Sequence, residues 1–129
     1  MAFPATFDIQ YYRGDTYEFK LYPKDSAGAA FDLAGYDLSN GVKFTIATAR
    51  GVGTNIHSTT GYARISSDRQ YIICAIKPEN GAWMEYSSDY VYDIQISKAG
   101  AGGTYDSIIT LLTGNIAVTE QVTQTGVVV

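Results

Sequence analysis

A disulfide framework and a thiolate metal cluster are both excluded, because the 129-residue chain holds one cysteine, Cys74. Histidine is equally scarce, with His57 the single example. A zinc set needs more imidazole or thiolate ligands than these two residues supply. Charge is thin: 17% of residues are Asp, Glu, Lys or Arg, against about 25% in an average globular domain. The 9 basic residues are outnumbered by 13 acidic ones, the formal net charge is −4, and no two basic residues are adjacent. Phosphate neutralisation needs a basic face, so nucleic acid is not an expected partner. No apolar run approaches the roughly 20 residues of a spanning helix, and Met1-Ala2-Phe3-Pro4 lacks the charged and apolar regions of a signal peptide. No membrane role is expected.

What the chain has instead is tyrosine and strand periodicity. Eleven Tyr accompany one Trp, and large amphipathic rings suit strands and interfaces. Phe7, Ile9 and Tyr11 alternate with Asp8, Gln10 and Tyr12; Tyr17, Phe19 and Leu21 alternate with Glu18 and Lys20; Val42, Phe44 and Ile46 alternate with Lys43 and Thr45. Tyr90, Tyr92, Ile94 and Ile96 alternate with Val91, Asp93, Gln95 and Ser97. A period of two places one row in a core and the other outside. Tyr71 to Ile76 is continuously apolar, as in a strand buried on both faces. Ser107–Leu112 and Asn115–Val118 read as two further strands broken at Thr113-Gly114, and Tyr62–Ser66 as a weaker one. Pro78 to Met84 is the one plausible helical turn. Turn chemistry at Arg13-Gly14-Asp15, Asp25–Gly28, Gly51–Gly53, Ser66–Asp68 and Ala99–Gly103 separates these segments. The expectation is an all-β chain: a single antiparallel β-sandwich of about seven to eight strands, immunoglobulin-like or jelly-roll-like, spanning 1–129 as one domain. Its expected core is Phe7, Ile9, Phe19, Leu21, Leu33, Phe44, Ile46, Ile73, Ile94, Ile96, Ile109, Leu111 and Val118.

Candidate chemistry is sparse. Arg13-Gly14-Asp15 spells an adhesion tripeptide, but the turn requirement alone explains it. A catalytic pair would have to use His57 with Cys74, and Cys74 sits inside an apolar strand where thiols are inert. The thirteen carboxylates are scattered and form no Asp-x-Asp-x-Asp-Gly calcium loop. Gly100-Ala101-Gly102-Gly103 precedes a strand and has no phosphate-loop Lys. The chain is therefore expected to be no enzyme, with no catalytic residue, cofactor or metal. Trp83, Tyr86 and Tyr90 form the candidate ligand or interface cluster: a sugar-stacking platform or protein contact, or, for Trp83, a plug under the Pro78–Met84 turn. Residues 121–129 carry no charge and end in Val127-Val128-Val129, which reads as an extended C-terminal arm or a final edge strand.

One phrase carries a family likeness. Arg13-Gly14-Asp15-Thr16 with Phe19 and Leu21, then Asp25 to Gly28, then Phe31-Asp32-Leu33-Ala34-Gly35, resembles the N-terminal β-sandwich of upper baseplate proteins in tailed bacteriophages. Tyr90 to Ile96, Ile108 to Val118 and Val122-Thr123 resemble the closing strands of the same module. The resemblance implies a virion structural protein of the tail baseplate or fibre-attachment region, made in the host bacterial cytoplasm. It implies many copies about a symmetry axis, partnered by self-copies and other virion proteins, with no catalytic residue. The short length fits a capsid decoration, cement or neck role as the alternative, with the arm adding a strand to a neighbour's open sheet edge. A carbohydrate-binding module that takes a host-surface glycan is the third reading.

Overall fold

The computed structural model describes residues 4–25, 27–51, 56–84, 89–100 and 106–119. Alternating sequence becomes strand almost wherever it occurs. The strands are β1 (Ala5–Thr6), β2 (Ile9–Tyr12), β3 (Tyr17–Leu21), β4 (Val42–Ala47), β5 (Ser58–Thr60), β6 (Tyr62–Ile65), β7 (Ile72–Ile76), β8 (Asp89–Lys98) and β9 (Ser107–Thr119). One short helix, α1 (Pro78–Trp83), starts on Pro78, whose fixed φ and missing N–H suit a first turn. The described residues form an all-β arrangement of two sheets. The larger has the order β1/β2-β9-β8-β4-β5 and the smaller β3-β7-β6.

Inward rows from both sheets share one core. Phe44, Ile46, Ile94, Ile96 and Ile116 come from the larger sheet, and Ile72, Cys74, Ile76 and Ile65 from the smaller. The Phe19 and Phe44 rings meet edge-on across the interior, 6.1 Å between centroids. Consecutive strands switch sheets on both sides: β2 leads into β3 through Arg13-Gly14-Asp15, and β5 into β6 through Gly61. The larger sheet is wider, and the segment between β3 and β4 supplies buried Leu33 and Tyr36 to the shared core. Arg69 holds that segment by donating from Nη1 to the carbonyls of Leu33 (3.1 Å) and Tyr36 (2.6 Å).

Several expectations are corrected. The pairing is not purely antiparallel, because β1 and β2 both run parallel to β9. Period two tells which side chains turn inward; partner and direction come from the corner at Gly14, which sends the chain into the other sheet before any hairpin can form. β1 and β2 keep one unbroken register along β9 and so share a single lane. Phe7 and Asp8 lie between them, and Phe7 is 44% exposed rather than in the core. Ile73 faces outward and is half-buried beside Lys20 and Arg64. Phe19, Leu21 and Ile109 are only partly buried. Tyr11, Tyr36, Tyr92 and Met84 are buried in the core although none of them was among the expected core residues.

β9 is one strand and not two. Its phase changes at a bulge opposite Ile94 and Gln95, where Leu112 pairs with Ile94 and Thr110 with Gln95. Leu111 is the extra residue, which is why adjacent Leu111 and Leu112 are both buried. Gly114 lies within the strand for a packing reason. A Cβ there would overlap the Phe7 carbonyl oxygen and lie 2.8 Å from its carbon. That carbonyl is held over Gly114 by the Tyr92 hydroxyl, which donates to it. The Asp8 carboxylate accepts the Asn115 N–H (3.1 Å), taking the place of a ladder carbonyl.

Candidate functional site

The Arg-Gly-Asp turn is a structural corner. Gly14 has φ 93°, in the left-handed region. Arg13 donates from Nε to the Met84 carbonyl at the end of α1 (2.6 Å), and the Tyr11 hydroxyl donates to the Asp15 carbonyl (2.5 Å). α1 presses so close that a Cβ on Gly81 would lie 2.7 Å from the Gly14 nitrogen. The tripeptide is thus built into packing against a helix and is not presented as a loop tip.

α1 also sets the expected aromatic cluster. The Trp83 ring contacts Tyr90 at 5.5 Å with 50° between planes. Trp83 is about one-third exposed, whereas Tyr90 is buried at the start of β8. The two rings are tilted and do not form a flat shelf. Tyr86, Val127, Val128, Val129 and the whole arm 121–129 lie outside the described residues. His57 is exposed at the end of the β4–β5 hairpin, bonded through its backbone to Thr48. Burial pushes the Cys74 thiol up to about 12. Among the described residues no three of His, Cys, Asp or Glu gather closely enough to hold a metal.

A polar constellation that the residue pattern had not singled out lies on the outer face of the larger sheet. Thr6, Thr113, Asp93, Thr45 and Thr60 form one row across it, one residue per lane. Beside that row a groove of about 420 Å³ is lined by Thr45, Ala47, Arg50, Ser58, Val91 and Asp93 among others. Arg50 reaches over the sheet and donates from Nη2 to the Gly114 carbonyl (3.1 Å), which orients its guanidinium. Burial raises the Asp93 carboxyl above the usual carboxylate range, and the Arg50 charge offsets part of the rise. No described residue donates a hydrogen bond to that carboxylate. Asp93 sits in the outward row of β8, legible as polar; that β8 is central, so that its outward carboxylate is flanked by β4 and β9, is not visible in the alternation.

One edge of the larger sheet is the lane of β1 and β2. Outside the β1/β2 lane no further strand pairs among the described residues. The other edges differ: β5 is three residues long, β3 carries Glu18 and Lys20, and β6 carries Arg64. Short or charged edges resist pairing with another chain. The β1/β2 lane is also made of short strands, two and four residues long, but its one charged side chain, Asp8, is turned onto the Asn115 N–H, and it exposes Phe7 and Tyr12, the latter 58% accessible. Comparison with known proteins adds no relative: no protein-family model matches the chain, and no curated protein matches it.

Proposed function

We propose that this chain is a non-catalytic β-sandwich assembly module of a tailed-bacteriophage virion, positioned in the tail baseplate or fibre-attachment region and present in several copies. The observation that carries the reading is the β1/β2 edge, on which no further strand pairs among the described residues and which exposes Phe7 and Tyr12. An open lane of unpaired backbone groups is a template for strand addition from a neighbour. Aromatic residues are enriched at interfaces, and charged ones are depleted at interface cores. The two packed sheets with strands that switch between them fit a sandwich of immunoglobulin-like or jelly-roll-like type. The uncharged segment 121–129 is the proposed added strand.

The test is mass by light scattering on the purified chain, together with imaging of labelled particles. The reading expects a closed oligomer, and label at one end of a tailed particle. Tyr12→Lys, which places a charge on the lane, should dissociate the oligomer without unfolding it, and deletion of 121–129 should abolish incorporation. Label spread over the shell would move the assignment to capsid decoration or cement. A monomer absent from particles would refute the virion reading.

A further inference from the structure

The groove on the outer face of the larger sheet lies away from the edge proposed for assembly and is independent of it. We propose that this groove is a binding site for a neutral polyhydroxylated ligand, a saccharide unit whose adjacent hydroxyls bridge the Asp93 carboxylate and the Arg50 guanidinium.

The argument begins with what each group lacks. The Asp93 carboxylate is partly buried on a central strand and receives no hydrogen bond from any described residue. A carboxylate partly screened from water and without a protein donor is less well solvated than a free one, and a ligand that donates to it offsets that loss. Arg50 is anchored by one nitrogen on the Gly114 carbonyl, and no described residue accepts from its remaining N–H groups. A guanidinium presents five donors in a rigid plane, so the anchored group still has donors to offer.

The pair also selects by charge. An ammonium drawn to Asp93 meets the Arg50 cation, and a phosphate or carboxylate drawn to Arg50 meets the Asp93 anion. An uncharged ligand that donates and accepts at neighbouring atoms satisfies both without bringing a like charge to either. A pair of vicinal hydroxyls does this: one donates to the carboxylate, and the oxygen of the other accepts from the guanidinium. Thr45 and Ser58 add hydroxyls that donate or accept, and Ala47 and Val91 add apolar surface for the C–H face of a sugar ring. The groove volume, about 420 Å³, falls in the lower part of the range of small-molecule sites. The raised Asp93 carboxyl is consistent with a group poised for an incoming donor.

The test is a two-dimensional amide NMR titration of the whole chain with a panel of neutral sugars: glucose, galactose, mannose, N-acetylglucosamine and lactose. Inorganic phosphate and methylammonium serve as the anionic and cationic controls. The proposal expects saturable shifts for at least one sugar, centred on Thr45, Ala47, Ser58, Val91 and Asp93. Asp93→Asn and Arg50→Gln should each weaken binding about tenfold or more, the effect of removing one charge-assisted hydrogen bond. Ser58→Tyr, on the edge strand, should block the groove by bulk while the remaining spectrum stays folded. No saturable shift at about 10 mM, ten times a millimolar Kd, would overturn the proposal. So would groove shifts produced by phosphate or methylammonium alone, or sugar-induced shifts that map to Trp83 and survive both charge substitutions.

Discussion

Replacing Gly114 with alanine should destabilise this protein markedly, although alanine is ordinarily the better strand residue of the two. Gly in a strand interior costs about 0.5–1 kcal/mol of backbone entropy relative to Ala, so a naive substitution would stabilise. Here the new methyl would overlap the Phe7 carbonyl oxygen and lie 2.8 Å from its carbon and 3.1 Å from Cε1 of Tyr92. Backbone is the obstacle, so the Phe7–Asp8 segment must retreat. Retreat takes the acceptor from the Tyr92 hydroxyl, which lies in the core and donates to that carbonyl. An orphaned buried hydroxyl costs about 1–3 kcal/mol, and overpacking adds about 1–3 kcal/mol. After the entropic gain the net loss is about 3 kcal/mol, with about 1 kcal/mol as the lower bound. Urea unfolding measures it as a lower midpoint at unchanged slope. The double variant Gly114→Ala/Tyr92→Phe should lose less than the sum of the two single losses, because the hydroxyl no longer needs the displaced carbonyl. A Gly114→Ala protein within about 0.5 kcal/mol of the parent, or more stable, would refute the close approach of Phe7 to β9.

Two further outcomes follow from the titratable groups. Cys74 is buried, with its thiol pushed up to about 12, so a thiol reagent at pH 8 should leave the native protein unmodified and label it fully in denaturant; rapid native labelling would contradict its place in the core. Asp93 is raised by burial, so the folded state binds its proton more readily than the unfolded chain. Its contribution is favourable below the unfolded pKa and is lost as pH rises through the folded pKa. Asp93→Asn should therefore raise the thermal midpoint at pH 7 and show a shrinking advantage in the acid range. An advantage that is the same at both pH values would remove burial of the charge as the cause.

Outward and inward rows were readable in most strands because period two is a local property. Phe44 and Ile46, Tyr92 and Ile94, and the short helix at Pro78 all stand where their sequence places them. Ser58–Thr60 was missed because Ser and Thr carry no hydrophobic alternation; β5 exists through pairing with β4. Thr113-Gly114 reads as a break because Gly and Thr look like turn chemistry, whereas the true irregularity is the Leu111 bulge, hidden in an apolar run. The groove was invisible for a similar reason. Arg50 and Asp93 are 43 positions apart and meet only because β4 and β8 are neighbours.

What the amino-acid order determined by itself is the local grammar: an all-β chain, most of its strand phases and its turns. Each follows from side-chain chemistry and backbone geometry within a few residues. The tertiary structure decided the rest. It set β1 and β2 parallel to β9, seated Tyr11 and Tyr92 in the core with their hydroxyls bonded to backbone carbonyls, turned Arg-Gly-Asp into a packed corner, and placed β1 and β2 at an edge of the larger sheet where no further described strand pairs. The reason is physical: strand partners, edges and the desolvation of a carboxylate depend on which distant segments come together to bury one core, and alternation along a single segment carries no record of its neighbours.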